Sequence, residues 1–194
     1  MQGAVEDLDG PEDLRTIATE LREHYRNTSP HVRAVVSEIV KRTSAELADR
    51  FYHVMTAQPG AGFYLDHETV NTKLRQSLKQ WLVEVFQRDL KDIESFLRRQ
   101  MQVGWAHARI KIPEQLVSRG ARELKQSINA SLRATKLSRE ELASAIQFVS
   151  TMFDLTLDVM THAYINRSER NARSDEAFRL FSLNQNLATE RERQ

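Results

Sequence analysis

Six glycines and four prolines punctuate a chain of 194 residues, and the stretches between them place apolar side chains at three- and four-residue intervals. That spacing gathers the apolar groups on one face of an α-helix, whereas a half-buried strand would need strict alternation. Neither alternating β-branched runs nor Asn-Gly hairpin turns interrupt the pattern. The fold class is therefore all-α. Apolar residues make up 40% of the sequence, and a single domain of this length can bury a real core with that share.

The breaks locate the helices. Pro11 opens a first helix running to about Tyr25, and Asn27-Thr28-Ser29-Pro30 supplies a stop, an N-cap and a proline at the first position of the next helix. Val32, Val36, Val40, Leu47, Phe51 and Met55 hold one face to about Ala57, a length that predicts two helices meeting at a bend near Thr43-Ser44. After Pro59-Gly60-Ala61-Gly62, the residues Val70, Leu74, Leu78, Trp81, Leu82 and Val85 mark another helix. Ile93, Phe96, Leu97 and Met101 mark the one after it, beyond a polar break at Arg88-Asp89. That helix must stop near Lys111, because Pro113 lacks an amide hydrogen and drives Ile112 out of the α region. Pro113 starts a helix to about Arg133, and Ser138-Arg139-Glu140-Glu141 is a capping box before the longest helix, predicted to reach about Asn166.

The longest helix carries two apolar stripes, one through Leu142, Ile146, Val149, Phe153, Leu157 and Met160, the other through Ala145, Phe148, Met152, Leu155 and Val159. A helix apolar over that width is either central in its own domain or shared with a second subunit, and the expectation is a homodimer. Past a polar stretch from Arg167 to Asp175, Phe178, Leu180, Phe181, Leu183 and Leu187 begin a new periodic segment, read as the first turns of a connector.

Charge and composition narrow the function. With 28 basic and 27 acidic residues the formal charge is +1, so no net field favours nucleic acid or anionic lipid. The N-terminus is acidic and no apolar run reaches 15 residues, which argues against a signal peptide or membrane anchor and for a cytoplasmic protein. The absence of cysteine removes thiolate catalysis, disulfides, iron–sulfur clusters and thiolate zinc sites. There is no Gly-rich phosphate loop and no strand-borne acidic pair, so this chain alone is not expected to be an enzyme.

One histidine stands out. Phe96, Val103, His107 and Ile110 share a stripe, which turns His107 into the core from the last two turns of its helix, with Gly104 leaving that face open to a flat ligand. An imidazole there can donate from one nitrogen to the Val103 carbonyl and keep the other free for a metal. Spacing alone leaves a plain core histidine as the ordinary reading. Zinc is disfavoured because Val103, Gly104, Ile110 and Lys111 occupy the positions three and four residues away, and the paired Glu-x-x-His motifs of di-iron bundles are missing. Haem, by contrast, needs only one protein ligand.

The segment Val103-Gly104-Trp105-Ala106-His107-Ala108-Arg109-Ile110-Lys111-Ile112-Pro113 closely resembles the proximal-histidine segment of globin-coupled sensors. Phe51-Tyr52-His53-Val54-Met55 resembles that family's distal tyrosine segment, and Val70 to Trp81 its distal helix. The resemblance spans about Glu20 to Leu187, and Phe178-Arg179-Leu180-Phe181-Ser182-Leu183 resembles the linker to diguanylate cyclase domains. It implies a globin-like fold with an extra N-terminal helix (1–26), a sensor globin domain (27–168) and the start of a linker (169–194), dimerising through its last long helices. It further implies haem b on His107, with O2 as the gas and CO or NO as other ligands, and a diguanylate cyclase as output.

On the distal side the resemblance assigns Tyr52 as hydrogen-bond donor to the gas, Leu74 as an apolar guard against water and Ser77 as a second polar contact. Phe63, Leu65, Trp81, Phe96, Val103 and Ile110 are expected to line the ring, although core packing explains them as well. His53 and His67 are the first suspects should a second histidine ever reach the iron. Two other readings stay open at this point: a haem peroxidase or dioxygenase, and a cofactor-free helical dimerisation module.

Overall fold

The computed structural model describes residues 12–65 and 73–191, with side chains described to residue 169 and at Arg173, those of 12, 13 and 63 excepted. Six α-helices follow one another: α1 Glu12–Asn27, α2 Pro30–Thr56, α3 Arg75–Val85, α4 Ile93–Arg109, α5 Glu114–Arg133 and α6 Arg139–Arg191, with a short 3-10 turn at Ala61–Phe63. Among the described residues there is no strand. Pro11, His67 and Val70 lie outside the described residues.

The caps are those the sequence prescribes. Ser29 Oγ accepts from the Val32 amide at 3.2 Å, and Ser138 and Glu141 close a reciprocal box, with Ser138 N to the Glu141 carboxylate at 2.9 Å and Glu141 N to Ser138 Oγ at 3.2 Å. Asp92 caps α4 by accepting from the Ser95 amide at 2.9 Å. Arg33 ties the N-terminal pieces together: its guanidinium donates to the carbonyls of Tyr25 and Thr28 and, 3.1 Å away, to that of Arg88 in the loop ahead of α4.

Two helices run further than expected. No break divides α2 near Thr43-Ser44, where Thr43 Oγ1 donates to the Ile39 carbonyl at 2.8 Å and Ser44 Oγ to that of Lys41 at 3.1 Å. Those hydroxyls bond back into the preceding turn instead of capping a new helix. Likewise α6 does not end near Asn166 but continues unbroken through the polar stretch to Arg191, because neither glycine nor proline occurs after Gly120. Arg173 pairs with Glu169 one turn back along it.

The core lies around α6. Ala145, Phe148, Val149, Met152, Phe153, Val159 and Ala163 are shut off from solvent, while Leu142, Ile146 and Leu157 are half-buried at its margin. Helix α4 packs along α6, α5 packs on both α6 and α2, α2 carries α3, and α1 closes on α6 and α4. The segment Arg139–Glu169 is long enough to cross a membrane and contains an 18-residue window with a mean hydropathy of 1.2. Its apolar residues are the domain's own core, so burial inside the protein accounts for that composition.

Candidate functional site

His107 sits at the end of α4, and the residues after it form a helix stop. The Lys111 amide donates to the Ala108 carbonyl at 3.1 Å and the Ile112 amide to the carbonyl of His107 itself at 3.1 Å, the paired bonds of a Schellman turn. Lys111 adopts a φ of 54°, the left-handed conformation usually left to glycine. Ile112 is buried beneath the turn, and Pro113 bars the helix from resuming in register. The run from Arg109 to Pro113 therefore fixes the backbone of His107 by holding its carbonyl.

The rest of α4 is fixed against α6. A Cβ at Gly104 would lie 2.3 Å from the Met160 carbonyl oxygen and 3.0 Å from Ala163 Cβ. Gly104 is thus a point of backbone contact between helices and does not open the His107 face to a ligand, as its spacing had suggested. Ile110 also departs from the expected stripe. It is 49% exposed, because it is the C-cap, where α4 has already ended and the helical phase is lost.

The His107 ring is half-buried, and burial alone holds its pKa below the ordinary histidine range, so the imidazole is neutral. No hydrogen bond from the ring is found among the described residues. The donation to the Val103 carbonyl that the spacing allows is not found among the described residues. A neutral imidazole always carries one lone-pair nitrogen, and here no protein donor among the described residues occupies it.

Tyr52 is buried on α2, its ring edge-on against Phe51 with centroids 4.9 Å apart. Burial pushes its phenol up to about 12, with the Arg75 guanidinium pulling the other way, so the hydroxyl keeps its proton. It donates that proton to no group among the described residues. Arg75, the first residue of α3, pairs with Asp49, which stands one turn before Tyr52. Leu74 is half-buried just ahead of α3, and Ser77 is exposed without a hydrogen bond among the described residues. Leu65 is half-buried beyond the 3-10 turn, while the Phe63 side chain lies outside the described residues.

A joint between α3 and α4 orders these pieces. Trp81 Nε1 donates to Gln100 Oε1 at 2.8 Å, and Gln100 is completely buried with its Nε2 unpartnered. Ser77 lies one turn, and Leu74 two turns, back along α3 from Trp81; His107 lies seven residues, roughly 10 Å, on from Gln100. Both stretches run away from the loop that joins the two helices, so Leu74, Ser77 and the His107 imidazole fall on the same side of the joint. Phe96 is buried and Val103 half-buried along that stretch of α4. Gln100 escaped the sequence reading, although a lone polar residue seven positions before His107, on the stripe of Phe96 and Val103, is the signal that marks it.

The remaining described histidines are engaged or exposed. His24 stacks on Phe148 and bonds its carbonyl at 3.2 Å, His31 faces Glu141 at 3.5 Å, His162 meets Asn166 at 2.8 Å, and His53 is exposed.

Comparison with known proteins decides the family. The protoglobin family profile matches residues 18–170, which include Tyr52, both flanks of the joint and the whole helix stop after His107. The chain belongs to the protoglobin family. This protoglobin is 30% identical over 165 residues to diguanylate cyclase DosC of Escherichia coli K12, the match covering 85% of the chain and 36% of DosC. DosC of Shigella flexneri is equally similar, 30% over 165 residues, with 85% of the chain and 43% of the relative covered. The chain thus spans between about a third and a half of the length of these curated relatives. Among solved structures, the ferrous globin domain of E. coli DosC superposes with a TM-score of 0.72 at 26% identity, covering 76% of the protoglobin and 99% of that domain. The globin domain of a Geobacter sulfurreducens globin-coupled sensor shares the fold, with a TM-score of 0.65 at 21% identity over 75% of the chain and 96% of that domain. The protoglobin is accordingly a globin domain homologous to that of DosC.

Proposed function

We propose that this protoglobin is a haem-based oxygen sensor, with haem b held by His107 as its one protein ligand and Tyr52 as distal hydrogen-bond donor. The observation that carries the reading is the neutral His107 imidazole, half-buried, without a hydrogen bond among the described residues, and fixed by the helix stop behind it. A ligand to iron must be uncharged and must present a lone pair, and His107 meets both requirements. Tyr52 complements it, because its hydroxyl is protonated and has no hydrogen-bond partner among the described residues. Haem held there would supply a redox-active iron able to take up a diatomic gas. The chain's own residues do the rest: Tyr52 donates to the polar end of the gas, Leu74 limits water and Ser77 offers a second contact. Phe63, Leu65, Trp81, Phe96 and Val103 line the ring or support those that do.

Oxygen is favoured over CO and NO because a donated hydrogen bond stabilises a partly anionic ligand most, and a low-dielectric pocket strengthens it. CO and NO remain possible ligands. The protein works in the cytoplasm as a homodimer through α5 and α6, whose half-buried Leu142, Ile146 and Leu157 edge the apolar width of α6. The output is a C-terminal diguanylate cyclase making cyclic di-GMP, to which α6 and the Phe178–Leu187 connector pass the signal. Ligand binding can shift that output only by its differential affinity for two dimer packings, typically about 1–3 kcal/mol.

Spectra of the haemin-loaded, reduced chain with and without oxygen test the assignment. A reversible spectral change that restores the starting ferrous form when oxygen is withdrawn is expected. Rapid turnover of peroxide instead would make the domain a haem enzyme, and failure to take up haemin would leave a helical dimerisation module.

A further inference from the structure

Helix α5 touches the distal tyrosine's helix through one close contact that the oxygen-binding reading leaves unused. A Cβ at Gly120 would lie 2.6 Å from Phe51 Cε2 and 3.1 Å from its Cζ. Contacts under 3.0 Å are essentially unknown for real Cβ atoms, so the Phe51 ring occupies the space that only a glycine leaves at this point of α5. The same ring stands perpendicular to that of Tyr52, at 89° and 4.9 Å between centroids. Phe51 therefore has α5 backbone on one side and the distal tyrosine on the other. Helix α5 in turn packs on α6, the helix that leaves the domain.

We propose that Gly120 is a positioning residue for Tyr52: it seats the Phe51 ring that braces the tyrosine, and so couples the tilt of the phenol to the lie of α5 against α2. The inference rests on the reading of Tyr52 as the distal donor. It assigns a role to two residues outside the ring-binding side chains. The coupling is directional in geometry but reciprocal in energy, since whatever α5 does to Tyr52, a change of Tyr52 on ligand binding must do to α5. An edge-on aromatic pair tolerates tilt but not overlap, so the ring passes displacement on instead of absorbing it.

The test uses the full chain loaded with haemin. Gly120→Ala forces the Phe51 side chain off its rotamer, and a side chain about 30° off costs on the order of 1 kcal/mol, which sets the scale as an acceleration of oxygen dissociation of roughly threefold to tenfold. The C–O stretching band of the CO complex should shift or split in the same variant, since it reports where the donor stands. Phe51→Leu, which keeps an apolar group but removes the ring edge, should move both readouts in the same direction. In the chain without haem, the Tyr52 ring resonances should shift in Gly120→Ala more than those of the other tyrosines. In a double-mutant cycle, Phe51→Leu and Gly120→Ala together should destabilise less than their separate effects sum to, because the smaller side chain makes room for the new methyl.

Combination with Tyr52→Phe separates the possibilities. If Gly120 acts through the tyrosine, Gly120→Ala should have no further effect on oxygen dissociation once the hydroxyl is gone. A Gly120→Ala effect that persists unchanged in the Tyr52→Phe background would overturn the positioning role, as would a folded Gly120→Ala with wild-type oxygen kinetics and CO band. If Tyr52→Phe alone leaves oxygen dissociation unchanged, it is the distal-donor reading that fails, and that outcome is visible without any change at Gly120.

Discussion

Gly104 and Gly120 each allow two helices to close on one another, but what they close upon differs. At Gly104 the helix of His107 rests on a backbone carbonyl of α6, and on the other side of His107 the Schellman turn grips its carbonyl. At Gly120 the neighbour is a side chain, the Phe51 ring, with the Tyr52 ring next in line. The proximal side is thus held by main chain and the distal side by rings. Main-chain contacts can yield only by moving whole helices, whereas rings can tilt. On the proposed function, this build keeps the iron ligand fixed and puts the adjustable element on the gas side.

The largest effect should come from disturbing the fixed side. Gly104→Ala gains about 1 kcal/mol of helix propensity but drives a methyl into the Met160 carbonyl, and overpacking of this kind costs typically 1–3 kcal/mol or somewhat more. A net loss of roughly 2 kcal/mol is expected as a lowered urea midpoint. A variant as stable as wild type would mean that α4 can slide on α6, and the contrast between the two sides would dissolve.

Tyr52→Phe probes the adjustable side. Hydrogen bonds to charged groups are worth about 1.5–3 kcal/mol, so oxygen dissociation should accelerate roughly 10- to 100-fold while CO dissociation changes little. Folding stability should barely respond, since the hydroxyl serves no protein partner among the described residues. Equal acceleration for both gases would show that the phenol acts by bulk and not by donating.

The Trp81–Gln100 joint lies between the two regimes. Trp81→Phe keeps an aromatic ring but removes the donor to a completely buried amide whose nitrogen has no partner among the described residues. Leaving a buried acceptor unmet costs about 1–3 kcal/mol, and unfolding should show a loss toward the lower end of that range after the ring's retained packing is allowed for. The smallest effect is a gain. Lys111→Gly removes left-handed strain of roughly 1–2 kcal/mol and returns part of it as glycine's entropy cost, so the fold should gain about 0.5 kcal/mol. A loss in that variant would show that the Lys111 side chain is itself part of the turn.

The same contrast explains what the sequence disclosed. The proximal side is local chemistry: histidine, C-cap, left-handed residue, buried isoleucine and proline follow one another within the seven residues from His107 to Pro113, where Pro113 alone announced the stop. The distal side is assembled from afar. Tyr52 was legible only through resemblance, and the contacts that place it, Phe51 with Gly120 and Trp81 with Gln100, join positions that no periodicity relates. Gly104 was misjudged for the same reason. Its spacing showed a small residue beside His107 that would leave the face open, but not that α6 fills the space it leaves. The helix ends illustrate the converse limit, since polar stretches at Thr43-Ser44 and Arg167–Asp175 looked like breaks, yet a helix stops only where a cap, glycine or proline outbids its ladder.

The central claim is that His107 alone ties the cofactor to the protein, and haemin titration with His107→Gly tests it most directly. Wild-type chain should develop a sharp Soret band that saturates at one haemin per chain. His107→Gly should lose that band or show it weakened and displaced, and added imidazole, filling the space with the missing ligand, should restore the wild-type spectrum. A His107→Gly protein that binds haemin with an unchanged spectrum, indifferent to imidazole, would place the iron on another residue and contradict the account.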